Sequence, residues 1–316
     1  MKIAILGAGG TGAMTGALLT KGGADVILVD PFAEHMEKIR TSGLYMEKNI
    51  GDPETVVMKT VYPAVDIEPV DMVIVLTKSM HTCTAIEQAP ALFGEKTVVI
   101  TFQNGLGNKE NLLKYFPPEN VGYGVMSLSG HIKGPGHIWA KLHPITRRAV
   151  YFKNVIRGAY DEKYEQLEKY FLAAGIGAKF DFDCDTDIWH KIMANCAGNL
   201  PCAITRLKTG QVADVPEGLE LQKSIIYEVV QVANADGMNF DFEHEWHYYY
   251  NSMLPGVYNQ YPSAALDVQN RRQTEADTLN GAIVKYGLKY GIQTPVNDTV
   301  YKIMTVIQES YDKQFS

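Results

Sequence analysis

The feature that most constrains this chain is its first thirty residues, MKIAILGAGGTGAMTGALLTKGGADVILVD. Lys2–Leu6 is an apolar run of the length expected for a buried parallel strand, and the glycines after it have G-x-G-x-x-G spacing. Gly7 permits a tight turn, Gly9 lets the backbone approach a pyrophosphate, and Gly12 lets the next helix lie close to the sheet. The sequence therefore predicts a strand, a turn and a helix whose N-terminus binds the phosphates of a dinucleotide.

The residues that follow support this interpretation. Ala24–Val29 predicts a second strand, and Asp30 ends it. A carboxylate at this point can accept hydrogen bonds from the adenosine ribose and would repel the 2′-phosphate of NADP, which favours NAD. Alternatively, Asp30 only starts a turn with Pro31. The residues that we expect to contact the phosphates are Gly7, Gly9, Gly10, Thr11 and Gly12.

Length and composition exclude several classes of protein. The 316 residues are enough for two domains, and 46% hydrophobic with 21% charged residues is typical of a globular protein. A net charge of −7 without a basic stripe argues against a nucleic-acid partner. No apolar run is long enough for a membrane span or a signal peptide, so we expect a cytoplasmic protein. Four cysteines without C-x-x-C spacing predict neither a disulfide framework nor a metal site.

Polar residues follow two further strands of the predicted sheet. Lys78 comes soon after the apolar run Asp71–Leu76, and Asn104 comes soon after Thr97–Phe102. In open α/β sheets the carboxyl ends of the strands form the ligand crevice, so both are candidates for binding cofactor or substrate. The alternatives are a solvated loop lysine and a plain Asn-Gly turn.

The strand pattern gives way to helices near Asp183. Met58–Tyr62 reads as hairpin or edge material, and the last strands are expected to complete the same sheet; they are Val121–Leu128, His137–Leu142 and Arg148–Phe152. The predicted fold class is α/β, with an N-terminal Rossmann domain over 1–183 and a C-terminal all-α domain over 184–316. We expect the substrate in the cleft between the two domains.

The first helix of the second domain, predicted over Thr186–Leu200 and ended by Pro201, carries Lys191, Asn195 and Asn199 at a spacing of four. At about 100° per residue these side chains share one face, which holds one cation and two amides. The pattern indicates either a lined cleft or a solvent-facing stripe. His190 lies off this face and is interpreted as a packing or surface histidine.

A long helix is predicted over Ser263–Tyr290, and it contains Glu275. Ser263 suits a helix N-cap after a proline. Glu275 can pair with Arg271 four residues away, or it can face the cleft and accept a substrate hydroxyl.

Taken in order, these motifs resemble the ketopantoate reductase family over nearly the whole chain. The matching segments are the G-x-G-x-x-G at Gly7, the lysine at Lys78, the Q-N-G at Gln103–Gly105, the W-x-K-x-x-x-N-x-x-x-N at Trp189–Asn199, and the S-x(11)-E, T-E and N-G at Ser263, Thr274-Glu275 and Asn280-Gly281. The resemblance implies a Rossmann domain joined to a helical domain, and NAD(P)H-dependent reduction of a 2-keto acid, ketopantoate, to a D-2-hydroxy acid, pantoate. It also implies that Lys191 is the general acid, that Glu275 and Ser263 hold the substrate, and that Asn104, Asn195 and Asn199 orient substrate and lysine.

The chain departs from this family at two places. Family members for pantothenate synthesis resemble NADPH enzymes with a basic residue after the second strand, where this chain has Asp30. Around Ser263 the family commonly has Ser-Ser-Met-x-Gln-Asp, whereas this chain has Pro-Ser-Ala-Ala-Leu-Asp, which retains only Ser263 and Asp267. The segment Trp246–Tyr250 is rich in aromatic rings, which pack in the core or form an apolar wall for a bulky substrate.

Three functions therefore stay open. The first is the reduction of ketopantoate. The second is that of an NAD-dependent D-2-hydroxyacid dehydrogenase similar to D-mandelate dehydrogenases, and the third is a redox sensor that binds the dinucleotide without turnover. A sensor needs no proton donor, which argues against the third. Beyond the small-molecule substrate, a homodimer formed through the helical domain is the one partner we expect.

Overall fold

The computed structural model describes residues 1–61 and 67–314, and in that part the chain forms two compact units. The first comprises Met1–Gln103 and Asn108–Cys184, and the second comprises Asn104–Gly107 and Asp185–Ser316. A four-residue segment from the middle of the first unit's sequence thus belongs to the second unit.

The first unit is built on two sheets. Its strands are β1 Lys2–Leu6, β2 Asp25–Val29, β3 Leu44–Lys48, β4 Glu54–Val56, β5 Lys59–Val61, β6 Met72–Val75, β7 Val98–Thr101, β8 Val121–Met126, β9 Ser129–Gly134, β10 His137–Lys141, β11 Arg148–Asn154 and β12 Gly177–Phe180. Its helices are α1 Gly10–Lys21, α2 Ala33–Ser42, α3 Thr82–Gln88, α4 Asn108–Leu112 and α5 Asp161–Ala173. The predicted segment Met58–Tyr62 contains β5, while Tyr62 itself lies outside the described residues.

The larger sheet has the strand order β12-β11-β8-β7-β6-β1-β2-β5. The six strands from β8 to β5 are parallel and have the Rossmann order, with the reversal of order between β1 and β6. Side chains of β1 alternate between two apolar clusters, with Ile3 and Ile5 in one and Ala4 and Leu6 in the other. Both faces of the sheet are therefore buried, as a parallel sheet requires.

The expectation that all later strands complete this one sheet is wrong. His137–Lys141 belongs to a separate sheet of order β4-β3-β10-β9. Its alternating residues Ile138 and Ala140 are buried in the same cluster as residues of α1. The antiparallel partner of this strand, Ser129–Gly134, was not predicted, because its sequence SGHIKG is polar and contains two glycines.

The second unit is helical. Its helices are α6 Asp185–Thr205, α7 Thr209–Ala213, α8 Pro216–Ala235, α9 Phe242–Tyr248, α10 Leu254–Val257, α11 Ser263–Gln269, α12 Asn280–Tyr290 and α13 Pro295–Gln308, with a π-helical turn at Tyr249–Met253. One apolar cluster joins these helices, and it includes Ile192 and Cys196 of α6 and Ile225 and Val229 of α8. The predicted fold class, a Rossmann domain followed by an all-α domain, is confirmed.

Two helix predictions in this unit are wrong. Pro201 does not end α6, which continues to Thr205. The predicted helix Ser263–Tyr290 is two helices, α11 and α12, because Arg271 has a φ of 52° and the Arg272 N–H donates back to the Asp267 carbonyl at 2.8 Å. Glu275 consequently lies in the turn between two helices and not inside one.

Candidate active site

The glycine turn after β1 has the geometry of a phosphate-binding turn. Gly7 has a φ of 95°, and a Cβ there would lie 2.4 Å from the Thr77 nitrogen; a Cβ on Gly12 would lie 1.9 Å from the Gly7 oxygen. A Cβ on Gly9, in contrast, would meet nothing within 4 Å. Gly7 and Gly12 are therefore required by the fold, whereas Gly9 leaves open space beside the N-terminus of α1. That space suits an anionic group bound by the first N–H groups of the helix.

Gly10 and Thr11 contact the second sheet. A Cβ on Gly10 would lie 2.3 Å from the oxygen of Gly130, which is in β9. The Gly130 N–H donates to the Thr11 hydroxyl at 3.2 Å. The close approach of β9 thus accounts for the glycine at position 10, and no sequence pattern had indicated it.

Asp30 lies directly after β2 and forms a turn. Its Oδ1 accepts a hydrogen bond of 2.8 Å from the backbone N–H of Phe32. His35, the third residue of α2, is fully buried, and its Nδ1 accepts from the Gly136 N–H at 3.0 Å. Burial lowers the pKa of His35, and the Asp30 carboxylate acts in the opposite direction. Asp30 thus forms the turn predicted as one alternative, and the turn uses one of its two carboxylate oxygens.

The ends of β6 and β7 are joined by Gln103. Its amide Nε2 donates to the Thr77 carbonyl at 2.7 Å and to the Thr82 hydroxyl at 2.8 Å, while its Oε1 accepts from Thr101 at 2.9 Å. Lys78 follows Thr77 and is partly buried. Since Thr77 also contacts Gly7, Lys78 lies in the first unit where the strand order reverses. The position of Gln103 directly after a strand was the signal for this role, which the sequence interpretation missed.

Helix α6 carries the predicted face of the second unit. Lys191 and Asn195 are partly exposed, and Asn199 is buried. The Oδ1 of Asn199 accepts from the Ser263 hydroxyl at 3.1 Å and from the Ala264 N–H at 3.3 Å. Ser263 is not the N-cap of α11, which is Pro262, so that prediction is wrong by one position. Ser263 is the first residue of α11, and its hydroxyl is used for the bond to Asn199.

Asn104 and Glu275 meet within the second unit. The Nδ2 of Asn104 donates to Oε2 of Glu275 at 3.3 Å. The Leu106 N–H donates to the Thr278 carbonyl at 2.8 Å, and Gly105, with a φ of 84°, approaches the same carbonyl closely. Asn104 and Glu275 are both partly buried. The segment after β7 thus holds an amide on the carboxylate of the turn between α11 and α12.

The aromatic segment divides between core and surface. Trp246 and Tyr249 are buried with ring centroids 5.8 Å apart, whereas Tyr248 and Tyr250 are exposed. His190 packs on Tyr248 at 4.7 Å, and its Nε2 lies 2.8 Å from the buried carboxylate of Glu245. His190 therefore joins α6 to α9, in agreement with its interpretation as a packing histidine.

The described residues contain neither a candidate metal site nor a candidate membrane span. No group of three or more histidine, cysteine or acidic residues is placed to hold a metal ion. In the same part of the chain no helix combines the length and the apolar character needed to cross a membrane.

Comparison with known proteins gives matches over most of the chain. Residues 3–148 match the family described as Ketopantoate reductase PanE/ApbA, and residues 183–308 match its C-terminal family, Ketopantoate reductase PanE/ApbA C terminal. A 2-dehydropantoate 2-reductase of Streptococcus pyogenes serotype M18 is 29% identical over 93% of this chain and 94% of its own. Its counterpart of Archaeoglobus fulgidus is 30% identical over 97% and 98%.

Two solved structures are similar over their full length. D-mandelate dehydrogenase with NADH and anilino(oxo)acetate has a TM-score of 0.89 and 27% identity, covering 99% of this chain and 100% of the other. A PanE/ApbA family ketopantoate reductase from Ralstonia eutropha has a TM-score of 0.84 and 26% identity over the same shares.

Proposed function

Because the chain belongs to the ketopantoate reductase family, we propose that it reduces a 2-keto acid to the D-2-hydroxy acid with a nicotinamide dinucleotide. The substrate we put first is ketopantoate, since the curated relatives are named 2-dehydropantoate 2-reductase. The observation that carries the proposal is a pair of hydrogen bonds in the second unit, from Asn104 to Glu275 and from Ser263 to Asn199. Each bond joins two polar residues that are distant in the chain and that the sequence had selected independently.

In this proposal the domain over 1–183 binds the dinucleotide. The N–H groups of Gly10, Thr11 and Gly12 bind the pyrophosphate. The open space beside Gly9 supports this assignment. Asp30 accepts from the adenosine ribose with the oxygen that does not hold the Phe32 N–H, and Lys78 contacts the cofactor after β6. The reduced dinucleotide supplies the hydride.

The domain over 184–316 supplies the proton. Reduction of the keto group places negative charge on its oxygen, and the Lys191 ammonium stabilises that charge and donates the proton from Nζ. The amides of Asn195 and Asn199 orient the lysine and the substrate without adding a competing charge. Glu275, held by Asn104, accepts a hydrogen bond from a substrate hydroxyl, and Ser263, an exposed residue, binds the substrate through its hydroxyl.

A second function is favoured by Asp30. A carboxylate after β2 repels the 2′-phosphate of NADP, so an NAD-dependent D-2-hydroxyacid dehydrogenase that acts on bulky 2-keto acids is the alternative. The similarity to D-mandelate dehydrogenase with NADH supports it. The exposed rings of Tyr248 and Tyr250 are candidates for an apolar wall.

The deciding experiment follows the loss of reduced-nicotinamide absorbance with NADH and NADPH, each against ketopantoate, 2-ketoisocaproate and phenylglyoxylate. Fast oxidation with ketopantoate alone supports the first function, and the preferred cofactor is read from the same data. Fast NADH oxidation with the bulky keto acids, and little with ketopantoate, supports the second. Tight dinucleotide binding without turnover of any of the three points to the sensor. Sedimentation velocity on the same sample tests the homodimer.

A further inference from the structure

Helix α6 has a break in its hydrogen bonds next to the proposed catalytic face. Pro201 lies inside the helix and has no N–H, so the carbonyl of Ala197 loses its usual donor one turn earlier. Asn195 and Asn199 are in this same turn. Since proline in a helix interior weakens the helix, contacts from other helices become more important for the position of this turn.

Asn280, the first residue of α12, reaches this turn. It is fully buried, and its Nδ2 donates to the carbonyl of Cys196 at 3.2 Å and to Oδ1 of Asn297 at 2.9 Å. An amide nitrogen carries two hydrogens, so both bonds form at once. The orientation of the amide is fixed, because a flip would place its oxygen against two acceptors. Its Oδ1 has no hydrogen-bond partner in the described part of the chain.

The chain of bonds from Asn280 ends on a buried carboxylate. Asn297 of α13 is also fully buried, and its Nδ2 donates to Oε2 of Glu228 at 2.7 Å. Glu228, in α8, also accepts from the backbone N–H groups of Val296 at 2.8 Å and Asn297 at 2.9 Å. A buried carboxylate needs such donors, and these N–H groups are at the N-terminus of α13, where negative charge is stabilised. The network therefore ends on a carboxylate that accepts three hydrogen bonds, and it links the four helices α6, α8, α12 and α13.

The backbone of Asn280 is close in the chain to the turn that holds Glu275. The N–H groups of Thr278 and Leu279 both donate to the Glu275 carbonyl at 3.2 Å, and Asn280 follows directly. Its backbone is thus tied to the Glu275 turn, while its side chain is tied to α6. Asn280 therefore links the two parts of the proposed site in the second unit.

We propose that Asn280 is a positioning residue for the reduction: it holds the Asn195–Asn199 turn of α6 at a fixed distance from the Glu275 turn through its bonds to Cys196 and Asn297. The expected effect on kcat rests on the proposed function. The role of Asn280 in holding α6 does not. Loss of the side chain leaves the dinucleotide-binding residues of the first unit unchanged and loosens the residues that orient substrate and lysine.

The test compares Asn280→Ala with Asn234→Ala, both in the complete protein. Asn234 is a matched control, since its amide also makes two hydrogen bonds in this unit, with the N–H and carbonyl of Phe240. In Asn280→Ala we expect kcat to fall about 10-fold to 100-fold, the size of effect that a displacement of about 1 Å produces, with the Kd for the dinucleotide unchanged. Asn234→Ala is expected to keep kcat within about twofold at temperatures well below its Tm. Asn280→Ser, which offers a hydroxyl donor in place of the amide, is expected to have a kcat between those of the unmodified protein and Asn280→Ala. It replaces the alanine variant if that does not fold.

Hydrogen exchange followed by mass spectrometry separates this inference from the proposed function. We expect faster exchange in peptides covering residues 191–200 and 275–280 of the Asn280 variants, and not in Asn234→Ala. If no 2-keto acid is reduced by the unmodified protein, the proposed function fails while the exchange data still decide whether Asn280 holds α6. Unchanged exchange in those peptides, or an unchanged kcat in an Asn280 variant of an active enzyme, overturns the inference.

Discussion

At the residue scale, the charge of Asp30 can be separated from its turn-forming bond. Asp30→Asn keeps an oxygen for the Phe32 N–H but removes the negative charge. The repulsion between the Asp30 carboxylate and the 2′-phosphate of NADPH is worth roughly 1 to 4 kcal/mol. Its removal should raise kcat/KM for NADPH relative to NADH about tenfold or more. Asp30→Ala also loses the turn bond and should bind both cofactors more weakly. Steady-state kinetics with both cofactors measure the ratio, and the same ratio in all three proteins would assign cofactor choice to other residues.

Lys191 carries the strongest single prediction of the mechanism. Lys191→Ala removes the proposed proton donor and is expected to lower kcat about 10²-fold to 10⁴-fold, the usual contribution of a positioned acid. Lys285, an exposed lysine of α12, is the control, and Lys285→Ala should leave kcat within about twofold. Circular dichroism confirms folding of both variants. A near-normal kcat in folded Lys191→Ala would remove this residue from the chemistry.

The sequence selected candidate site residues but could not predict the contacts that they make. Asn199 and Ser263 could be selected by spacing and by order along the chain, but their hydrogen bond depends on how α11 meets α6, which no local pattern encodes. Glu275 was expected inside a helix, where it could pair with Arg271. The left-handed conformation of Arg271 ends that helix, and a non-glycine residue with positive φ is rarely detectable from sequence.

At the scale of the element, two substitutions in the glycine turn after β1 are expected to differ in their effects on stability and on dinucleotide affinity. Gly9→Ala places a Cβ in open space, so the free energy of unfolding should change by about 1 kcal/mol or less, while dinucleotide affinity falls at least about tenfold. Gly12→Ala places a Cβ 1.9 Å from the Gly7 oxygen. Alanine is favoured by about 1 kcal/mol inside a helix, so any net destabilisation there comes from this contact.

Denaturant unfolding and a fluorescence titration with the dinucleotide, done without substrate, measure both quantities. We expect the unfolding midpoint to fall clearly in Gly12→Ala alone. Equal destabilisation by the two substitutions would contradict the assignment of Gly12 alone to the fold, and unchanged dinucleotide affinity in Gly9→Ala would contradict the assignment of Gly9 to ligand contact.

Elements were predictable where their apolar pattern was unbroken. The elements β1, α1 and β2 were predicted correctly because β1 and β2 lie in the buried sheet and α1 packs against them. β9 was missed because its sequence is polar and glycine-rich, although its partner β10 follows it directly in the chain. α6 was ended too early because Pro201 normally stops a helix, whereas here the residues after it, up to Thr205, continue the helix.

At the scale of the whole molecule, the chain does not divide at a single point. Asn104–Gly107 follows β7 of the first unit but belongs to the second, where it holds the Glu275 turn. Composition changes only near Asp183, and this change gives no sign that an earlier segment contributes to the helical unit. Asn104 was selected as a strand-end residue, although its partner is 171 positions away.

This segment contains two glycines that form a matched pair. Gly105 and Gly107 have φ values of 84° and 89°, so alanine at either position costs about 1 kcal/mol or more through backbone strain alone. A Cβ on Gly105 would also lie 1.9 Å from the Thr278 carbonyl, whereas one on Gly107 would meet nothing within 4 Å. Gly105→Ala must therefore move the segment away from the Glu275 turn and break the Asn104–Glu275 bond. We expect kcat/KM for the 2-keto acid to fall at least tenfold further than in Gly107→Ala, with faster hydrogen exchange at residues 275–279. If both substitutions lower activity and stability equally, backbone strain accounts for the effect, and the segment does not act through the second unit.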